Sequence, residues 1–194
     1  MPDRPPRVAI LAGPNGSGKS TSAAKLLLGP LQVSEFVNAD TIAQGLSAFD
    51  AASVALTAGR IMRERLRELA RARAEFAFET TLAARSYAPW LRQLQADGYL
   101  VELVFLWLPS PDLAVARVAD RVAAGGHAIP ESVIRRRYAA GLANLCSLYI
   151  PLADRWSIID NSQEGEPRTI AEGGQRQSTE ILDTSAWQSI SSAQ

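Results

Sequence analysis

Cysteine is nearly absent from this 194-residue sequence, in which Cys146 is the only one. A single cysteine excludes an intrachain disulfide, which suits a reducing cytoplasm, and we expect Cys146 to act as a small buried apolar residue. No apolar run approaches the ~18 residues of a transmembrane helix, so we expect no membrane contact. Residues 1–6 lack the apolar core of a signal peptide and are predicted to be a short disordered lead-in. These features together predict a cytoplasmic protein.

Net charge is absent as well, because 20 lysines and arginines balance 20 aspartates and glutamates. A neutral chain has no bulk attraction to nucleic acid or to an anionic membrane, so nucleic acid is not an expected partner. The segment 51–74 carries six arginines with two glutamates interleaved: Arg60, Arg63, Glu64, Arg65, Arg67, Glu68, Arg71 and Arg73. We interpret it as a solvated helix face with ion pairs three and four residues apart, the alternative being a nucleic-acid surface.

Strand-like and helix-like segments alternate along the chain, which predicts an α/β fold with a parallel sheet covered on both faces. The five predicted strands are 7–12, 35–38, 75–79, 100–108 and 156–160. The predicted helices are 19–28, 41–45, 51–74, 86–97, 111–124 and 130–145, with a short turn near 147–154. After Asn161 we predict a small C-terminal hairpin, pairing 168–172 with 180–182 around Gly173-Gly174. Asp183-Thr184 is expected to cap a last helix through Trp187. One domain over 7–187 and a tail at 188–194 follow.

The most informative segment is GPNGSGKS at 13–20, which fits the phosphate-binding pattern G-x-x-x-x-G-K-[ST]. It follows an apolar strand and opens a helix, as a P-loop does. Glycines let the backbone approach phosphate oxygens, and the helix N-terminus adds free N–H groups and a positive dipole end. The residues expected to bind the nucleotide are Gly13, Pro14, Asn15, Gly16, Ser17, Gly18, Lys19, Ser20 and Thr21.

Three P-loop side chains have separate expected roles, and they predict ATP and Mg²⁺ as cofactors. Lys19 is expected to reach the β- and γ-phosphates, and Ser20 to ligate Mg²⁺ through its hydroxyl. Thr21 is expected to donate a hydrogen bond to the α-phosphate. No motif that reads the base is evident, so the pattern leaves ATP and GTP both open.

Two predicted strands end in carboxylates, at Val37-Asn38-Ala39-Asp40 and Phe78-Glu79-Thr80-Thr81. Ligands bind at the carboxyl ends of strands in α/β sheets, so both carboxylates should face the P-loop. We predict Asp40 as the catalytic base for an attacking hydroxyl and Glu79 as a second carboxylate that holds substrate or a Mg²⁺-bound water. An N-cap role for Asp40 and a functionless strand end for Glu79 remain alternatives. Asn38, Thr80 and Thr81 are candidate substrate contacts.

A second basic cluster surrounds two glycines, with Arg117 and Arg121 before Gly125-Gly126 and three arginines, Arg135, Arg136 and Arg137, after them. Two helices joined by a glycine hinge, with arginines on both sides, predict a lid over 117–138 that closes on the phosphates. The alternative is an ordinary charged helical hairpin. His127, the only histidine, is expected to order the turn rather than to act in catalysis. The predicted fold is thus a kinase-like P-loop NTPase, a three-layer sandwich with a central five-stranded parallel sheet, a helical lid and a small C-terminal hairpin.

Five segments together resemble the zeta-toxin-like family of small P-loop kinases. They are GPNGSGKS at 13–20, FVNAD at 36–40, FETTL at 78–82, RVADRVAAGGHAIPESVIRRRY at 117–138 and IIDNS at 158–162. The resemblance covers nearly the whole chain, from Val8 to about Trp187. The P-loop alone is shared by very many proteins, whereas the segment around Gly125-Gly126 is much more specific.

The resemblance implies an ATP-dependent phosphotransferase acting on a hydroxyl of a small metabolite. In zeta toxins the acceptor is the 3′-hydroxyl of the nucleotide sugar UDP-N-acetylglucosamine, and a small antitoxin blocks the ATP site. The family's base matches Asp40 and its glutamate matches Glu79. Its lid arginines match Arg121 and either Arg136 or Arg137. This chain is shorter than the larger zeta toxins, and an antitoxin would be a separate polypeptide.

Two other functions stay open at this point. The chain could be a nucleic-acid-end kinase, supported by the arginines of 51–74, or a regulatory nucleotide-binding module that hydrolyses ATP without an acceptor. A transporter ATPase is not expected, because the sequence has no LSGGQ-like signature.

Overall fold

The computed structural model describes residues 4–50, 53–163 and 166–192, and its strands form one seven-stranded sheet in the order β2–β3–β1–β4–β5–β6–β7. The strands are β1 (Arg7–Ala12), β2 (Glu35–Val37), β3 (Phe76–Thr80), β4 (Leu100–Trp107), β5 (Arg155–Asp160), β6 (Arg168–Gly174) and β7 (Gln177–Ile181). Pairs from β2 through β5 are parallel, and the pairs of β6 with β5 and β7 are antiparallel. The predicted five-stranded parallel sheet is confirmed, and the predicted hairpin extends this same sheet.

Helices cover both faces of the sheet, which gives the predicted three layers. They are α1 (Lys19–Leu28), α2 (Ala39–Leu46), α3 (Ala55–Arg71), α4 (Tyr87–Ala96), α5 (Pro111–Ala123), α6 (Glu131–Asn144) and α7 (Thr184–Ser191). Because side chains alternate along a strand, Ile10 of β1 joins one core cluster with Leu66 of α3, and Leu11 joins another with Leu27 of α1. A single π-helical turn, Leu145–Tyr149, continues α6 where a separate short turn was predicted.

The helix α3 is shorter than the predicted 51–74, and residues 51–52 lie outside the described ranges. Its buried residues, Ala58, Met62, Leu66 and Leu69, form one stripe along the helix. Arg65 forms two ion pairs, at 3.4 Å with Glu68 and 3.2 Å with Glu35. Across the ranges the structure describes, the other arginines of α3 form no ion pair. Of the ion pairs predicted along this helix, those formed within the described ranges all involve Arg65.

The turn of the C-terminal hairpin lies at Gln175-Arg176, so its predicted position at Gly173-Gly174 is wrong. Both glycines belong to β6. A Cβ at Gly173 would lie 2.9 Å from Cζ2 of Trp156, and one at Gly174 would overlap the carbonyl oxygen of Asp154. These glycines therefore allow β6 to approach β5 closely. The pairing of Ala171 with Ile181 and of Glu172 with Glu180 agrees with the predicted hairpin.

Both predicted ends of the domain shift slightly in the structure. Asp183 caps α7 as predicted, accepting a hydrogen bond from the N–H of Ala186 at 3.0 Å. The helix then continues past Trp187 to Ser191, because Ile190 is fully buried. At the other end, the carbonyl of Pro6 accepts a hydrogen bond from the N–H of Leu100 at 2.9 Å. The rest of the predicted lead-in and tail, residues 1–3 and 193–194, lies outside the described residues.

Two scarcities of the sequence can be compared with the structure. Cys146 is half-buried and packs beside the main core, and burial raises the pKa of its thiol. Among the helices that the structure describes, none combines the length and the apolarity needed to span a membrane.

Two helical glycines give a matched test of this packing. A Cβ at Gly141 in α6 would lie 2.5 Å from the carbonyl oxygen of Thr81, whereas one at Gly59 in α3 would meet nothing within 4 Å. We expect Gly59→Ala to stabilise the protein by about 1 kcal/mol through helix propensity. We expect Gly141→Ala to destabilise it by about 1–3 kcal/mol, because α6 must move away from the end of β3. Urea unfolding measures both, and shifts of the same sign would contradict this packing.

Candidate functional site

The loop between β1 and α1 has the conformation of an anion cradle. Gly16 and Gly18 adopt φ angles of 78° and 79°, a left-handed region that favours glycine. A Cβ at Gly16 would lie 2.8 Å from the carbonyl oxygen of Ala114, and one at Gly18 would lie 2.7 Å from Nδ2 of Asn161. Gly18 precedes α1 and supplies no side-chain cap, so the first N–H groups of the helix are available to an anion.

Lys19 begins α1 and is buried, which is costly for an ammonium group. Its Nζ donates a hydrogen bond to the carbonyl of Pro14 at 2.7 Å and lies 3.8 Å from Oε1 of Glu79. Burial lowers the pKa of Lys19, the Glu79 and Asp40 carboxylates oppose this, and the Arg121 and Arg137 guanidinium groups lower the pKa further. Both carboxylates and both arginines are therefore within electrostatic reach of the lysine.

Glu79 accepts two hydrogen bonds in the cleft, from Ser20 Oγ at 2.8 Å and from Asn38 Nδ2 at 2.7 Å. Its side chain is only 11% exposed. Burial raises the pKa of Glu79, while Lys19 and the hydrogen bond from Ser20 lower it. The Ser20 hydroxyl, which is predicted to ligate Mg²⁺, is thus hydrogen-bonded to the Glu79 carboxylate of β3. A cation at this position would have both oxygens available as ligands.

The second predicted carboxylate, Asp40, lies exposed in the first turn of α2. The alternative that Asp40 caps this helix is wrong, because Asn38 is the cap. Oδ1 of Asn38 accepts hydrogen bonds from the N–H groups of Asp40 at 2.7 Å and Thr41 at 3.4 Å. Asn38, predicted to contact substrate, has its buried side chain hydrogen-bonded inside the protein. Asp40 lines the cleft, and its carboxylate has no hydrogen-bond partner among the described residues.

Thr80 and Thr81 shape the turn after β3. Thr80 Oγ1 accepts a hydrogen bond from the N–H of Leu82 at 3.1 Å, and Thr81 Oγ1 accepts one from the N–H of Ala83 at 3.5 Å. Neither threonine lines the cleft beside the P-loop. Their predicted contact with substrate is not supported by this arrangement.

A cleft of about 520 Å³ opens over the P-loop and collects most of the predicted site residues. Its lining is Asn15, Gly16, Gly18, Lys19, Ser20, Thr21, Ser22, Asp40, Glu79, Arg117, Asp120, Arg121, Asn161 and Gln163. Three predicted P-loop residues, Gly13, Pro14 and Ser17, do not line it. The N–H of Gly13 donates to the carbonyl of Thr80 at 3.3 Å, and that of Ser17 to the carbonyl of Pro14 at 3.2 Å. These backbone hydrogen bonds fix the conformation of the loop without facing the cleft.

The predicted lid consists of the C-terminal half of α5, the loop 124–130 and the first turns of α6. Arg121 Nη2 donates to the carbonyl of His127 at 3.2 Å. A Cβ at Gly126 would lie 2.7 Å from Cγ of Arg121, so glycine there leaves room for the arginine. Nε of Arg121 is a buried donor with no partner in the part of the chain that the structure describes. The contact of Arg121 with His127 uses only the backbone carbonyl of the histidine, so the predicted ordering role of its side chain stays a prediction.

The three adjacent arginines of α6 point to different surroundings. Arg135 forms ion pairs with Asp112 at 2.7 Å and with Glu131 at 2.8 Å. Arg136 is exposed, whereas Arg137 is half-buried and close enough to Lys19 to affect its pKa. Neither Arg136 nor Arg137 is among the described residues that line the cleft, so which of them faces the phosphates stays a prediction, and Arg137 is the less exposed of the two.

Two residues that line the cleft were not predicted to act at the P-loop. The sequence suggested no role for Asn161, and it indicated Arg117 only as a member of the second basic cluster. Arg117 donates to the carbonyls of Asn161 at 2.7 Å and Ser162 at 2.6 Å, and Asn161 Nδ2 donates to the carbonyl of Ser17 at 2.8 Å. This chain of bonds fastens α5 and the end of β5 to the P-loop. The signal was present, because Asn161 follows an apolar strand just as Asn38 does.

The residues present fit a Mg²⁺-nucleotide. Gly16 and Gly18 line the cleft and, lacking a Cβ, pack closely against Ala114 and Asn161. The ammonium of Lys19 is buried beside them, and Nε of Arg121 is a buried donor with no partner among the described residues. The hydroxyl of Ser20 and the carboxylate of Glu79 are oxygen ligands of the kind that Mg²⁺ prefers.

One sequence relative and three solved structures are similar to this chain. An uncharacterized protein of Haemophilus influenzae is 27% identical over 132 residues, 68% of this chain and 92% of that protein. A structure of the AvrRxo1-ORF1:AvrRxo1-ORF2 complex with sulfate ions has a TM-score of 0.78 at 17% identity, and the same complex with ATP has 0.74 at 17%. Each match covers 98% of this chain, and the chain spans 65% and 64% of the AvrRxo1 chains. The PezAT toxin–antitoxin system of Streptococcus pneumoniae has a TM-score of 0.64 at 17% identity, covering 82% of this chain and 69% of that chain.

The model of the AAA domain family AAA_33 matches residues 8–141. That range holds the P-loop, Asp40, Glu79 and the lid, so the match includes most of the cleft. The mostly parallel sheet and the likeness to the solved structures agree with a kinase-like P-loop fold. The chain therefore belongs to the AAA_33 family of AAA domains and has the fold of a P-loop kinase.

Proposed function

We propose that this protein is an ATP-dependent phosphotransferase that moves the γ-phosphoryl group to a hydroxyl of a small metabolite. One observation carries the proposal. The carboxylate of Asp40 lines the same cleft as a buried P-loop lysine and has no hydrogen-bond or ion-pair partner among the described residues, and the lid contributes Arg121 to the same lining. A nucleotide-binding module without an acceptor has no use for such a base.

The P-loop side of the cleft would bind the triphosphate. Backbone N–H groups and Lys19 supply positive charge without bulk, and the Ser20 hydroxyl would hold Mg²⁺ with Glu79 beside it. Bound Mg²⁺ neutralises phosphate charge. Because Lys19 already lies 2.7 Å from the carbonyl of Pro14, its ammonium is fixed at the loop before any nucleotide arrives.

Asp40 would act on the acceptor. As the acceptor oxygen forms its bond to phosphorus, the bond between that phosphorus and the β–γ bridging oxygen breaks and ADP leaves. The hydroxyl proton passes to the Asp40 carboxylate. This base has its backbone N–H tied to Asn38, so the first turn of α2 sets where its carboxylate stands.

The lid would contribute Arg121 and Arg137. Arg121 lines the cleft with Lys19, and lid closure would bring Arg137, which lies outside the lining, toward the charge that develops on the transferring group. Loop 124–130 would close the cleft against water. Closure would favour transfer to the acceptor over hydrolysis of ATP.

For the acceptor we propose a nucleotide sugar, with phosphorylation at the 3′-hydroxyl of UDP-N-acetylglucosamine. The support is the sequence resemblance to zeta toxins together with the structural likeness to the PezAT system. On the same ground we propose that the protein is the toxin of a toxin–antitoxin pair, with the antitoxin as a separate polypeptide. A panel of nucleotide sugars incubated with ATP and Mg²⁺, read by product mass, tests the acceptor. A product of 3′-phosphorylated UDP-N-acetylglucosamine is expected, and phosphorylation of a different sugar alone would redirect the proposal.

The base assignment predicts the behaviour of Asp40→Asn. We expect kcat to fall about 10²–10⁴-fold, because the amide cannot take the hydroxyl proton, while ATP affinity stays near that of the native protein. Steady-state transfer and nucleotide titration measure the two effects. Asp97→Asn, at the C-terminal end of α4 and away from the cleft, is the matched control. Native turnover in Asp40→Asn would show that the base is elsewhere.

The two neighbouring arginines of α6 give a second pair of matched variants. We expect Arg137→Gln to lower kcat by about 10²–10³-fold, since it removes a charge from the phosphate end of the cleft. Arg136→Gln, which alters an exposed side chain, should change kcat by less than about twofold. Transfer assays on both variants decide the register, and a larger effect of Arg136→Gln would reverse the assignment.

A further inference from the structure

The side chain of Asn38 touches two parts of the cleft at once. It is only 6% exposed and uses both ends of its carboxamide. Oδ1 caps α2 by accepting from the N–H groups of Asp40 and Thr41, and Nδ2 donates to Oε2 of Glu79 at 2.7 Å. Nδ2 also lies 3.5 Å from Oγ of Ser20. One buried group thus connects the turn that carries the base to the carboxylate that contacts the P-loop.

We propose that Asn38 is a positioning residue that couples nucleotide binding at Ser20 to the placement of Asp40. The inference rests on the proposed function for the meaning of Asp40, but the coupling itself is a property of the fold. In this structure Ser20 donates its hydroxyl hydrogen to Glu79. A nucleotide-bound cation that engages the Ser20 oxygen changes this bond, and among the described side chains the hydrogen bond from Asn38 and the 3.8 Å ion pair with Lys19 then hold Glu79. A displacement of the Glu79 carboxylate would therefore move the Asn38 side chain, which caps α2.

Only a carboxamide fits this position. The cap requires an acceptor, and Glu79 requires a donor, and asparagine carries both on a short side chain. A serine at this position would still cap α2 but its hydroxyl is too short to reach Glu79 as well. An aspartate would cap the helix and put a second carboxylate against Glu79, whose pKa is already raised by burial. The ordinary reading of Asn38 as a mere cap predicts that serine replaces it without consequence.

The first measurement is hydrogen exchange of the Asp40 and Thr41 amides, with and without Mg²⁺-ADP. In the native protein we expect the nucleotide to change the exchange rate of both amides several-fold. In Asn38→Ser we expect exchange without nucleotide to stay close to native, because the cap is retained, and the response to Mg²⁺-ADP to be lost. Asp183→Ala is the matched control, since it removes the cap of α7, far along the chain, and should leave the α2 response intact.

The second measurement separates positioning from binding. With an acceptor, Asn38→Ser should lower kcat by about 100-fold through misplacement of Asp40, while the dissociation constant for Mg²⁺-ADP changes little. Glu79→Ala attacks the link from its other end and leaves the cap of α2 in place. At a Mg²⁺-ADP concentration that saturates this variant, the nucleotide response of the Asp40 and Thr41 amides should likewise be lost, and the variant serves as the test if Asn38→Ser folds poorly.

The outcomes distinguish this inference from the proposed function. An Asn38→Ser protein whose α2 amides respond to Mg²⁺-ADP as in the native protein overturns the coupling, and so does a native protein with no response. A native response that is lost in Asn38→Ser supports the coupling even if no metabolite is ever phosphorylated. In that last case the phosphotransferase proposal fails and the link between the two half-sites stands.

Discussion

The ammonium of Lys19 is buried, and the arrangement of the cleft follows from that cost. A charge in this position needs polar partners, which the carbonyl of Pro14 and the carboxylate of Glu79 provide at 2.7 and 3.8 Å. Glu79 is itself buried and needs donors, which Ser20 and Asn38 supply. Each group that satisfies the lysine therefore brings another element to the cleft. The buried charged and polar groups of the site thus offset one another's loss of hydration, and the cleft opens beside them.

The sheet register explains how these groups meet. In the pairing of β1 with β3, Leu11 lies opposite Glu79, two residues before the P-loop begins. Asn38 follows β2, the neighbour of β3 on the far side, and Asn161 follows β5. All these strands are parallel, so their carboxyl ends share one edge of the sheet. Elements distant in the sequence thereby deliver side chains to one cleft without long loops.

The sequence predicted most of this because its strongest signals are local. The apolar run of β1, the glycines of the P-loop and the residues that end each strand indicate the sheet edge and, from it, Asp40 and Glu79. The errors concern contacts between distant segments. Whether Asn38 faces substrate or Glu79 depends on where β3 lies, and Gly173 is needed for Trp156 rather than for a turn. The choice between Arg136 and Arg137 likewise depends on how α6 lies over the cleft, which the local pattern of three adjacent arginines does not encode.

The close approach of Gly126 to Arg121 has a thermodynamic consequence. An arginine side chain has many rotamers, and fixing it at a ligand commonly costs about 0.5–1.5 kcal/mol of binding free energy. Here the stem of Arg121 packs against a residue without a Cβ, and its guanidinium already holds the carbonyl of His127. The rotamer entropy of Arg121 is therefore lost when the protein folds and not when it binds a ligand. A cleft in which Arg121 is already fixed binds an anion with a smaller entropic penalty. The backbone conformation of the loop around residue 126 determines the size of this reduction.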